Sequence, residues 1–213
     1  MSKEFAQGPD QRTPPSPDEL FARFRKLYDA SAADMTTELG LFFERHYKFV
    51  QYEQLLDTNR PEYLDQEWNR VFAGFIASLA REFGFVPGRQ WTGVPGMIWF
   101  WPSSPTEVGV LFQEVNEAND SILTREVPQM VRDGAPVSVL IMYPDYPLAP
   151  GTSDVAQSTD RWRKKVGHAL SGLGPSGDFL LMTISAVSWE LPSTWAGFVW
   201  DPTAAELRPV GSP

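Results

Sequence analysis

The chain has 213 residues, 42% of them hydrophobic, a formal net charge of −9 and no cysteine. That size supports one generous domain with a core that needs no disulfide or metal staple. The absence of cysteine excludes disulfides, thiolate metal sites and thiol nucleophiles, and the acid excess argues against a long-range pull toward nucleic acid. The start, MSKEFAQGPDQ, lacks the apolar core of a secretory signal, and no apolar run approaches a bilayer-spanning length. These features lead to the expectation of a cytoplasmic protein without membrane contact.

In chain order, residues 1–15 are polar and proline-bearing and read as a disordered tail. Ser16-Pro17-Asp18-Glu19 has the pattern of a helix start, with serine as cap and proline in the first turn. A helix is expected to follow to about Tyr28, and a second from about Met35 to Leu56, so that 16–60 forms a helical segment packed on the core of 61–201. The clearest helix is 62–83, where Leu64, Trp68, Val71, Phe72, Phe75, Ile76, Leu79 and Phe83 recur at helical spacing and Gly84 supplies a stop. Glu67 falls on the flank of that stripe.

Two strand-like runs, Val94–Trp101 and Glu107–Val115, flank a Pro102–Pro105 turn and suggest an antiparallel hairpin. Residues 121–132 read as a helix, kinked or started late by Pro128, and Gly134 ends it. Val137–Tyr143 is a continuous apolar strand of the buried central type. A loop over 144–157, a helix over 158–171 and strands at Phe179–Ser185 and Trp195–Trp200 complete the order, and the tail from Pro202 (202–213) is expected to be loose. This succession predicts an α/β fold, a central mixed sheet flanked by helices.

The one concentration of polar chemistry is Gln113-Glu114-Val115-Asn116-Glu117-Ala118-Asn119-Asp120, which begins in a strand and runs out of its end. Alternation puts Glu114 and Asn116 on one face. An oxygen-rich group at a strand end suits Mg²⁺; equally, the run can serve as a polar turn in which Asn119 or Asp120 caps the next helix. More widely, residues 61–135 hold ten acids against five bases. Arg161-Trp162-Arg163-Lys164-Lys165 is the one basic cluster, and its cation-flanked indole suits either a solvated helix face or a stacking surface for a partner.

Helix 62–83, the hairpin, FQEVNEAND, TREVPQMV and PVSVLIMYPDY together resemble the restriction-endonuclease-like superfamily, the PD-(D/E)XK nucleases. The resemblance covers roughly residues 62–145. It implies a core of a helix, a three-strand meander, a helix and a fourth strand, with this chain's 16–60 as an N-terminal helical extension. It also implies a Mg²⁺ site of two acids and a lysine, the second acid and the lysine lying two apart on one strand. Residue by residue, Glu114 matches the second acid, Glu67 the helix glutamate seen in some members, and Asn116 the lysine. The remaining acid has no counterpart: there is no carboxylate between Glu82 and Glu107, and Glu107 lies seven residues before Glu114, about 23 Å along a strand. No lysine stands between Lys48 and Lys164.

With two of three signature groups missing, the expected function is a noncatalytic protein-binding or regulatory module on a nuclease-like scaffold. It would use the acidic face or a tryptophan-rich rim, with no resident cofactor. The alternative is a divergent Mg²⁺-dependent nuclease using Glu114 with Glu67, and only this reading calls for nucleic acid as a partner. Other motifs point nowhere further. Gly172-Leu-Gly174-Pro-Ser-Gly177 matches a dinucleotide fingerprint but follows a helix instead of a strand, and two histidines, His46 and His168, are too few for a zinc site.

Overall fold

The computed structural model describes residues 13–45, 62–89, 96–115, 119–143, 155–184 and 194–211. Helix α1 (Pro17–Ala33) starts as its sequence dictates, with the Ser16 side chain accepting from the Glu19 backbone N–H at 3.3 Å and proline in the first turn. It runs five residues past the expected end, because Tyr28 and Ala32 continue the buried stripe set by Leu20 and Phe24. A second helix, α2, occupies 38–45. It starts three residues later than expected, after a turn in which Asp34 Oδ1 accepts from the Thr36 N–H. The expected continuation to Leu56 lies outside the described residues. Helix α3 (Glu62–Glu82) follows the predicted bounds closely.

Among the described residues the sheet has seven strands: β1 (Val86–Arg89), β2 (Gly96–Trp101), β3 (Ser104–Val115), β4 (Val137–Met142), β5 (Asp178–Ile184), β6 (Trp195–Asp201) and β7 (Glu206–Pro209). They lie side by side in chain order. β3, β4 and β5 run parallel, while β1–β2–β3 and β5–β6–β7 are antiparallel meanders. Helices α4 (Val127–Asp133) and α5 (Val155–Leu173) make the two parallel crossovers. The chain is therefore an α/β protein with a mixed central sheet flanked by helices.

Two strands depart from the sequence expectation. β1 is four residues of Val-Pro-Gly-Arg, a composition that argues against a strand; it survives as the outermost strand, where one side of the backbone needs no partner. β7 replaces the expected loose tail. Asp201 Oδ1 accepts from the Thr203 and Ala204 N–H groups and closes the turn, Arg208 pairs with Asp201 at 2.9 Å, and Leu207 is buried against α5.

Pro128 acts in an unexpected way. The turn before α4, Ile122–Glu126, is a π-helix, and the Val127 N–H donates to Ile122 O, five residues back. Proline has no N–H to offer the carbonyl of Thr124, so the ladder widens here instead of breaking. Gly134, at φ 64°, closes α4 in the left-handed conformation.

The sheet divides the core in two. On one face α1, α2 and α3 pack Leu20, Phe24, Tyr28, Phe42, Trp68 and Ile76 onto Val110, Phe112, Val139 and Ile141. On the other, α4 and α5 bring Val127, Met130, Trp162 and Leu170 onto Leu111, Leu140 and Leu181. Strand alternation alone assigns these sides: Val110, Phe112 and Glu114 share the first, Leu111 and Gln113 the second. None of the described helices is long and apolar enough to cross a membrane.

Candidate site: a buried carboxylate in an aromatic wall

Glu114 is the penultimate residue of β3, near the sheet edge where the three parallel strands end. Period two turns its side chain toward α3, and there it is only 6% exposed. Its Oε1 accepts two hydrogen bonds, from the Trp68 indole Nε1 at 2.7 Å and from the Tyr143 hydroxyl at 2.6 Å. Trp68 comes from the buried stripe of α3. Tyr143 immediately follows β4 and keeps the parity of Val139 and Ile141, so it reaches the same face. Tyr28 of α1 lies beyond Phe43, whose ring meets both Tyr28 and Trp68.

Burial pushes the phenol pKa values of both Tyr28 and Tyr143 well up, and the negative charge of Glu114 pushes them further. Tyr143 therefore remains a donor across the neutral range. The surrounding rings lock the arrangement. Trp68 meets Tyr143 edge to face at 6.4 Å and Phe43 at 6.2 Å, and Tyr28 meets Phe43 at 6.2 Å and Trp195 at 5.0 Å.

The other anticipated residues are spread out. Glu67 is half-buried on α3, one residue before Trp68, and lies 3.8 Å from the exposed Arg45. Asn116 lies outside the described residues. Glu126, a further acid of the 61–135 stretch, is buried beside the opposite face of the sheet from Glu114 and is held by Arg125 at 2.6 Å. β2, from Gly96 opposite Gln113 to Trp101, carries no acid. Among the described residues no group of three or more His, Cys, Asp or Glu is placed to hold a metal ion. Glu114 Oε1 already serves two protein donors, an engagement that competes with the open oxygens Mg²⁺ asks for.

The basic cluster on α5 also differs from its expectation. Trp162 is 3% exposed and packs in the second core, so its indole is withdrawn from any stacking surface. Lys165 covers it, its Nζ 4.6 Å from the ring centre, and pairs with Asp120 at 2.8 Å. Arg163 and Lys164 both pair with Asp160, holding its carboxyl below the ordinary range chiefly through the Lys164 hydrogen bond, and Arg163 also donates to Leu207 O. Arg161 is exposed. Arg163, Lys164 and Lys165 thus fasten the fold more than they form an open patch. The tryptophan-rich rim is absent among the described residues, since Trp68, Trp99, Trp101, Trp162, Trp195 and Trp200 are all buried.

The remaining motifs have structural roles. Ser171 donates to the backbone oxygen of His168, an exposed residue, at 2.8 Å. Gly177 belongs to no cofactor loop: a Cβ there would stand 2.4 Å from Ala135 O, so the residue allows close backbone approach before β5. Tyr143, Trp68 and Tyr28 are what sequence reasoning missed as companions of Glu114. Parity along β4 and the stripe of α3 place the first two on the right faces, but neither says which strands become neighbours.

These features define an α/β protein whose buried acid is enclosed by aromatic donors. No family model matches the chain, and no curated protein matches it. Among solved structures it is similar to a carbon-nitrogen hydrolase from Helicobacter pylori G27, at 11% identity and TM-score 0.37 over 90% of this chain and 80% of that one. It is also similar to the central domain of yeast acetyl-CoA carboxylase, at 14% identity and TM-score 0.27, covering 65% of this chain and 26% of that one. TM-scores this low do not define a shared fold.

Proposed function

We propose that the protein is a noncatalytic protein-binding or regulatory module on a nuclease-like scaffold. The observation that carries this reading is the engagement of Glu114: its Oε1 accepts from Trp68 and Tyr143 in a buried aromatic setting, a state suited to holding structure or a guest and ill suited to a metal and its water. The nuclease-like part of the reading is supported by element order. α3 is followed by the β1–β2–β3 meander, α4, and a fourth strand parallel to the third, the succession the sequence resemblance implies. The acid excess favours a cationic partner surface.

The test is cleavage of single- and double-stranded DNA and of RNA with Mg²⁺ or Mn²⁺, comparing wild type with Glu114→Ala. The expected result is the same background in both. Metal-dependent cleavage by wild type that disappears in Glu114→Ala would overturn the reading. It would favour the second one, a divergent Mg²⁺-dependent nuclease using Glu114 with Glu67. One contact speaks for that alternative: Trp68, the neighbour of Glu67 on α3, touches Glu114 directly.

A further inference from the structure

β7 is the outermost strand on its side of the sheet, and an outermost strand offers unpaired backbone groups to any strand that can add to it. Its register says which groups those are. The Val210 N–H donates to Gly197 O at 2.9 Å, and in an antiparallel ladder the bonded residues alternate. Glu206, Arg208 and Val210 therefore direct their backbone groups to β6, opposite Asp201, Val199 and Gly197. Leu207 and Pro209 turn theirs to the open side. Proline has no N–H, so within β7 Leu207 alone presents both an N–H and a C=O to a further strand.

Arg163 of α5 occupies that place. Its Nη1 donates to Leu207 O at 2.9 Å, while Nε and Nη2 both donate to Asp160 Oδ1, at 3.1 and 2.7 Å. The Phe198 ring lies under the guanidinium, its centre 5.9 Å away. The Leu207 N–H lies close to α5 as well, where a Cβ on Gly167 would stand 3.7 Å from that nitrogen. A planar guanidinium fixed by several partners holds its place at low entropic cost, and an added strand must first displace it.

Without Arg163 the edge fits a second copy of itself. A two-fold axis through Leu207 pairs its N–H and C=O with those of its mate. The axis also sets Glu206 beside Arg208 of the second copy, and Arg208 beside its Glu206, opposite charges directly across the two strands. Both side chains are exposed. The same axis brings the two Arg163 guanidinium groups together, each bound to the residue at its centre, and like charges so placed repel. We propose that Arg163 is an edge guard: it closes β7 to pairing with β7 of a second copy of this chain. The guard is independent of Glu114 and its aromatic donors.

The experiment is sedimentation velocity over a concentration series, with far-UV circular dichroism of each protein. Arg163→Met keeps the apolar stem over Phe198 and removes the donor and the charge. It is expected to self-associate at least about tenfold more tightly than wild type. Arg163→Met/Glu206→Arg sets like charges across the same axis and is expected to return to the wild-type level. Equal self-association of wild type and Arg163→Met would overturn the proposal. So would association that Glu206→Arg leaves intact, because it would use another surface. Loss of the far-UV spectrum in Arg163→Met would overturn it too, since Arg163 would then be required by the fold itself.

Discussion

Replacing Glu114 with alanine removes the acceptor of two buried donors at once, the Trp68 indole and the Tyr143 hydroxyl. Each orphaned donor costs about 1–3 kcal/mol, and relief of the desolvated carboxylate offsets part of the sum, leaving an expected loss of about 2–4 kcal/mol. At a urea m-value of about 2 kcal/mol/M, the unfolding midpoint falls by about 1–2 M. Glu114→Gln keeps a side-chain oxygen in place and is expected to lose about half as much, since a neutral acceptor makes weaker bonds than an ionised one. The assay is equilibrium urea unfolding followed by tryptophan fluorescence and by far-UV circular dichroism, to verify that the two transitions coincide. A midpoint for Glu114→Ala within about 0.2 M of wild type would refute the reasoning, because it would mean that Glu114 does not hold these donors.

Further outcomes follow from the same chemistry. The folded-state phenol pKa values of Tyr28 and Tyr143 are raised, so the unfolded chain releases those protons first. Stability from this source is complete below about pH 10 and declines above it by about 1.4 kcal/mol per pH unit per tyrosine until the folded phenols also ionise. The Tyr28→Phe/Tyr143→Phe double variant is expected to show a shallower decline in urea midpoint between pH 10 and 11, and an unchanged slope would count against the assignment. Pro128→Ala restores an N–H at that position and is expected to convert the Ile122–Glu126 turn toward ordinary α-helix, with the new amide protected from hydrogen exchange; a fast-exchanging amide would show that something other than proline holds the π turn. Trp162→Ala, in the second core, is expected to cost about 3–5 kcal/mol in urea unfolding, whereas a surface indole would cost under about 0.5 kcal/mol.

The legible parts of this fold were those written in periodicity. The stripe from Trp68 to Leu79 specified α3, and the run Val137–Met142, buried at every position, announced a central strand. The missed strands had the least local signal. Val86–Arg89 contains both Pro and Gly and holds its place through pairing with Met97–Phe100, and Glu206–Pro209 depends on an aspartate-closed turn and a long-range contact of Leu207 with α5. The site shows the same division. Glu114 was recognisable as an acid near a strand end, and the missing acid and lysine were countable. Its partners were not recognisable, because α3, β3 and β4 come together only through the parallel β3–β4 pairing. Trp162 misled for a related reason: four flanking cations describe the rim of a helix face, while the indole follows the helical phase of Val166 and Leu170 into the core.

The strand order copies the chain order from β1 to β7, and that has a consequence for assembly. Among the described residues every strand after the first finds a sheet partner in the strand made before it, so none must wait for a distant segment to insert between two others. Loop closures stay short for such a sheet, which favours growth by accretion as the chain leaves the ribosome. The exception is the helical face. α1 is synthesised first, yet it packs on β5 and β6 as well as α3. Its apolar stripe of Leu20, Phe24 and Tyr28 can be covered only in part, by Phe72 and Phe75 of α3, until the far half of the sheet exists, and in that interval the nascent chain is open to aggregation or to capture by a chaperone.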